Sequence, residues 1–173
     1  MGTKRVQSAA NFELATRSLA GSIIYPCIAL ILYTWSPFYS HHPLLSFTFM
    51  TLLVLVGWER VRVARRIKAS LGEAPESDSL RLHRVTLATA VIWGIFAGWG
   101  IYNHDDVTRW MILTADGSLA SGAIASLSPG KDRLFLKYLV LLLAPSLVVM
   151  LLSAGQVSRA TGWIALGFAI LVG

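Results

Sequence analysis

Charge is scarce in this sequence. Asp, Glu, Lys and Arg make up 14% of its 173 residues, where a soluble domain carries about 25%. Hydrophobic residues make up 55%. A chain this short has no core large enough to hide so much apolar surface, so an ordinary water-soluble globule is excluded. Lipid is the solvent that fits. Cysteine is scarcer still: Cys27 stands alone inside an apolar run, which rules out a disulfide within the chain. The long apolar runs contain no histidine, which removes the usual ligands of a haem held between membrane helices, and His83 falls in a polar stretch. Also missing are H-E-x-x-H, C-x-x-C, a nucleophile elbow and a phosphate loop; Pro129-Gly130-Lys131 is only a fragment of the last. Neither catalysis nor a cofactor is therefore expected. The first apolar run is too long for a signal-peptide core and lacks a small-residue cleavage site.

What is present is a succession of six apolar runs. Residues 18–36 carry no charge and, at about 1.5 Å per residue, span roughly 28 Å, close to a hydrocarbon core. Residues 44–58 form a second, shorter run. A polar linker, residues 59–84, opens with Glu59, Arg60, Arg62, Arg65, Arg66 and Lys68, which continue the second helix out of the membrane, and turns near Pro75. The third, fourth and fifth runs are residues 85–102, 110–127 and 134–153. The sixth, residues 160–173, covers only about 21 Å, so the last helix is expected to continue beyond Gly173.

The basic residues set an orientation. Of the 15 lysines and arginines, all but Arg109 and Arg159 fall on one side of this alternating map. Cytosolic loops carry the excess of Lys and Arg. The expected protein is thus an all-α integral membrane bundle of six transmembrane helices. Residues 1–17 form a cytosolic N-terminal segment and residues 18–173 a six-helix domain, with linker 59–84 in the cytosol. The net charge of +6 reads as a topology signal and a contact for lipid headgroups, not as a nucleic-acid surface.

Asp116 is the most informative residue. It lies about 9 Å along its helix from Trp110, where a carboxylate costs several kcal/mol unless paired, hydrated or protonated. Either it belongs to a ligand pocket or it bonds a neighbouring helix as structural glue. Arg109, two turns away on the same stripe, is placed to bend toward it. Trp93, Trp99, Tyr102 and Trp110 gather at the same end, as an interfacial belt or as the wall of an amphiphile cavity. With Ser118 these residues form the candidate ligand site. His41, His42, His104, Asp105 and Asp106 sit in two short loops on that side; they are metal candidates, though their spacing matches no metal motif. Gly94 and Gly98 form G-x-x-x-G, and Gly117, Ser118, Ser121, Gly122, Ala125 and Ser126 give the fourth run many small residues. Close helix approach is expected at both, with the fourth helix central.

Ala125-Ser126-Leu127-Ser128-Pro129, then Asp132-Arg133-Leu134-Phe135 and Leu142-Leu143-Ala144-Pro145, resemble the N-terminal six-helix membrane regions of bacterial signalling proteins. In those proteins the helices precede a histidine kinase core or a cyclic-di-GMP synthase or phosphodiesterase domain, and the class includes quorum-sensing kinases for hydrophobic signals. The resemblance covers most of the chain. It implies a multi-pass sensory domain in the bacterial inner membrane that detects a small amphipathic signal, works as a homodimer and relays to a cytosolic output domain after residue 173. A small proton-coupled transporter or channel and a ligand-free anchor or dimerisation module are the alternatives.

Overall fold

The computed structural model describes residues 2–35, 37–71, 75–103, 106–127, 134–152, 159–160, 162–163 and 166–167. The expected turn at 128–133, most of the sixth run, and His104 and Asp105 lie outside the described residues. The described chain is all helical. It comprises α1 (Gly2–Trp35), a four-residue α2 (Phe38–His41), α3 (Pro43–Ala69), α4 (Glu76–Asn103), α5 (Asp106–Leu127) and α6 (Leu134–Leu152).

Four of these helices are long and apolar enough to cross a membrane: Ser8–Trp35, Pro43–Ala69, Glu76–Asn103 and Leu134–Leu152. α5 is outside that set, because Asp106, Arg109, Asp116 and a series of glycines and serines dilute its apolar residues. Ile23, Leu30, Ile31, Phe47, Leu55, Val140 and Val148 are exposed on the outside of the bundle. So large an apolar exterior suits contact with a lipid bilayer.

The helices run past the apolar segments that mark them. α1 begins at Gly2, within what reads as a flanking segment. α3 continues through the arginines to Ala69, and α4 starts at Glu76 in place of a longer turn. Local chemistry fixes these ends. Pro43 opens α3, where its missing N–H costs nothing. At the other end Arg66 and Lys68 complement the helix dipole. Ser70 and Leu71 donate N–H bonds to the Arg66 and Lys68 carbonyls, at 3.2 and 3.1 Å. Leu71 takes φ 51°, the left-handed conformation that closes a helix. Glu76 and Asp78 lie in the first turn of α4, where acids are favoured.

The five long helices form a ring in the order α1, α3, α4, α6, α5 and back to α1. α4 touches all the other four, so the central helix is α4 and not α5. The bundle has a basic end and an aromatic end. At the basic end the Ser8 hydroxyl donates to the Leu71 carbonyl at 3.1 Å, and Arg81 pairs with Glu59 at 2.6 Å. At the aromatic end the Tyr33 hydroxyl donates to the Ser46 carbonyl at 2.8 Å.

Two joints in this ring share one construction. Proline lacks the N–H that would bond the carbonyl four residues earlier. Pro145 in α6 therefore frees the Leu141 carbonyl, and Pro26 in α1 frees the Ser22 carbonyl. A glycine on the neighbouring helix faces each. A Cβ on Gly94 of α4 would collide with the Leu141 oxygen and lie 3.0 Å from that of Leu142. A Cβ on Gly57 of α3 would lie 3.0 Å from the Ser22 oxygen. Backbones approach this closely only where the side chain is missing. Gly98, one turn beyond Gly94, lies against Pro145 itself, where a Cβ would be 3.0 Å from the proline ring.

Candidate functional site

The α4–α6 joint carries a buried polar knot. Because Gly94 and Gly98 draw α4 onto Pro145, the next residue of α6, Ser146, is held inside the bundle next to α5. Its hydroxyl donates to Asp116 Oδ2 at 2.7 Å. Trp93, one residue before Gly94, donates its indole N–H to Asp116 Oδ1 at 2.6 Å. Asp116 is 2% exposed and Trp93 is fully enclosed. Each carboxyl oxygen thus has one donor, from two different helices. A buried acid supplied in this way ties α4, α5 and α6 together.

The α1–α3 joint carries the opposite arrangement. Gly57 brings α3 against α1, and Arg60, one turn on, lays its side chain along α1 over Gly21. A Cβ on Gly21 would lie 3.0–3.2 Å from the guanidinium. Arg60 Nε donates to the buried Ser18 hydroxyl at 2.6 Å. The residue is 3% exposed, yet its buried Nη1 finds no acceptor among the described residues. The same holds for the buried Tyr25 hydroxyl. Among the described residues no acid offsets the guanidinium by direct pairing.

Both groups line a cavity of about 290 Å³ between α1 and α5, which is bounded by Gly21, Ile28, Leu119, Gly122 and Tyr138 as well. The α5 wall is a notch. A Cβ on Gly122 would meet nothing within 4 Å, and the same is true of Gly117. The small residues of α5 therefore leave space, where those of α4 close it. Ala20, Ile24, Ser118 and Gly122 on the rim are exposed, so the cavity opens sideways between α1 and α5. Arg17 lies at the same mouth and pairs with Glu13 on its own helix. Tyr25 links cavity and knot: its ring meets Trp93 edge-on, with centroids 5.5 Å apart.

The sequence-derived candidates divide between these places. Asp116 and Trp93 come together in the knot, and Ser118 lines the cavity while donating to the Thr114 carbonyl at 2.9 Å. Arg109 turns away from Asp116; it donates to the Ile101 carbonyl at 2.8 Å and pairs with Asp106 at 3.2 Å. Tyr102 and Trp110 are exposed at the aromatic end. Trp99 packs there against His42, with centroids 4.6 Å apart, and His41 stands edge-on to His42. Among the described residues no three His, Cys, Asp or Glu gather to hold a metal.

Arg60 and Tyr25 escaped the sequence reading. Arg60 opens a run of cations and passes for one more flank charge. The signal lay in its register: it falls on one helical stripe with the buried Leu53, Gly57, Ala64 and Ile67, while Arg62, Arg65 and Arg66 fall on exposed faces. No family model, curated protein or solved structure matches the chain.

Proposed function

We propose that this chain is the membrane-embedded sensory input domain of a bacterial signal-transduction receptor. In this reading it crosses the plasma membrane six times. The arginine-rich end of the bundle and the N-terminus face the cytosol, as the distribution of Lys and Arg favours. A homodimer relays the signal to an output domain beyond residue 173.

One observation carries the reading. The ring closes through its least extensive contact, α1 against α5, and that seam holds the cavity. A ligand in the seam has a different affinity for each packing of the two helices. It therefore shifts their equilibrium, which is the physical requirement for an input domain. Tyr25 and Trp93 give the shift a route to Asp116 and so to α4 and α6.

Filling the seam tests this. Gly122→Leu places a side chain in open space, so folding is retained while the cavity is occupied. In the intact receptor this variant is expected to hold output at one level, whatever stimulus is supplied. Basal and stimulated outputs that both match the wild type would overturn the sensory reading.

A further inference from the structure

The cavity differs from a void left by imperfect packing. Empty cavities in proteins are apolar. This one has a wall of Ile28, Leu119 and small residues, but the side chains of Arg60 and Tyr25 also line it, and both residues are almost wholly buried. Arg60 Nη1 and the Tyr25 hydroxyl are both without a hydrogen-bond acceptor among the described residues. A charged group taken out of water without its full set of partners is expensive. The fold nevertheless accommodates this arrangement: Gly21 makes room for the Arg60 guanidinium and Ser18 holds its Nε. A planar fork of donors held at one edge is the group best matched to a carboxylate or phosphate.

Position narrows the class of anion. The opening lies on the flank of the bundle, between Ala20 and Ile24 of α1 and the small residues Ser118 and Gly122 of α5, and in the membrane reading that flank faces lipid. Along α1 the lining passes from Arg17 through Gly21, at the level of Arg60, to Ile24 and Ile28. Charge therefore sits toward the basic end of the bundle and apolar surface lies deeper. The volume of about 290 Å³ is at the small end of the range for ligand pockets, roughly 300–1,000 Å³. It suits one acidic head and the first part of one chain, with the remainder lying in the lateral opening.

Resting on the sensory reading above, we infer that the α1–α5 cavity binds a single-chain or lipid amphiphile by its anionic head. The carboxylate or phosphate accepts hydrogen bonds from the Arg60 guanidinium beside Tyr25, and the chain lies along Ile24, Ile28 and Leu119. Carboxylate and phosphate share this chemistry. The head can come from a free amphiphile or from an acidic phospholipid of the surrounding bilayer.

Equilibrium binding to the whole chain in nanodiscs of neutral phosphatidylcholine tests the inference. The probes are decanoate, decyl phosphate and decanol, which share a chain and differ in head. The wild type is expected to bind both anions and to bind decanol at least about tenfold more weakly, the worth of one hydrogen bond to a charged group. Arg60→Gln should weaken the anions by about tenfold to hundredfold and leave decanol unchanged, and Arg60→Lys should restore part of the loss. Gly122→Leu should abolish binding of all three from the opposite wall, which keeps the test decisive if Arg60→Gln fails to fold. Nanodiscs containing phosphatidylglycerol separate the sources. Competition with decanoate supports the site with lipid as its resident, and no competition supports it with the free amphiphile. Equal binding of decanol and decanoate, or anion binding indifferent to Arg60→Gln, would overturn the inference, as would an absence of anion binding in neutral discs. Binding is read without any output, so intact binding with unresponsive output counts against the sensory reading alone.

Discussion

The two proline–glycine joints begin alike and end differently. In each, a proline frees a carbonyl, a glycine on the next helix lies against it, and a polar side chain close by is carried into the bundle. At the α4–α6 joint that chemistry is complete: Asp116 receives Trp93 on one oxygen and Ser146 on the other. At the α1–α3 joint it is incomplete: Arg60 reaches Ser18 with Nε, its buried Nη1 has no acceptor among the described residues, and the residue lines a cavity. Close backbone packing therefore does not decide whether a buried polar group is structural. Satisfaction decides it. A group whose partners lie within the chain fastens helices, and a group lacking one is set for something outside the chain.

The comparison is most exposed at the knot. Asp116→Ala removes the acceptor of two enclosed donors at once. Each donor left unsatisfied costs about 1–3 kcal/mol, so a loss of about 3 kcal/mol is expected, measured by unfolding in mixed detergent and denaturing-detergent micelles. Asp116→Asn keeps one carbonyl oxygen for Trp93, and its amide can donate to a Ser146 hydroxyl that rotates to accept. Its loss should be under about 1.5 kcal/mol. Equal damage from both variants would show that the charge of Asp116, and not its acceptor geometry, holds the knot.

Next in size are the glycines. Gly94→Ala sets a methyl group against the Leu141 carbonyl, and the crowding costs about 1–3 kcal/mol. Gly122→Ala meets open space and should be neutral or gain up to about 1 kcal/mol from the helical preference of alanine. The two substitutions are chemically identical, so the same unfolding assay compares them directly. Similar effects at both positions would mean that the notch in α5 closes in the membrane.

How much of this was legible follows from the physics of each signal. Hydropathy is a sum over many residues, so the apolar runs stand out. Helix ends depend on a few local groups: the continuation of α3 through its arginines was legible, but hydropathy did not mark how far α1 and α4 outrun their apolar segments. Asp116 was visible because one acid within an apolar run is costly wherever its partners lie. Trp93 was singled out as an aromatic, but Ser146 was not, because its role depends on a register set by Gly94, Gly98 and Pro145 across two helices. The small residues were ambiguous in principle. A glycine permits close approach and equally permits a hole, and only the neighbouring helix determines which. Hence α4 and α5 looked alike, and α5 was expected at the centre that α4 occupies. Arg60 was hidden by its company, since Arg62, Arg65 and Arg66 supply the flank charge that explains the whole cluster at a glance.

The smallest expected effect on stability is also the most discriminating. Arg60→Met keeps a long, flexible side chain over Gly21 and removes the buried charge. Replacing a buried ion by an apolar residue of similar volume is often neutral or stabilising. Against that stands one lost bond from a charged donor to Ser18, about 1.5–3 kcal/mol. The two effects nearly cancel, so the unfolding midpoint should move by less than about 1 kcal/mol in either direction. A loss of 3 kcal/mol or more, on the scale of about 3–5 kcal/mol for breaking a buried pair, would place Arg60 with Asp116 as a fastening group and erase the distinction between the joints. A near-neutral result leaves a residue that the fold accommodates at Gly21 and Ser18 without needing it for stability, and the reason for its burial then lies in what enters the seam.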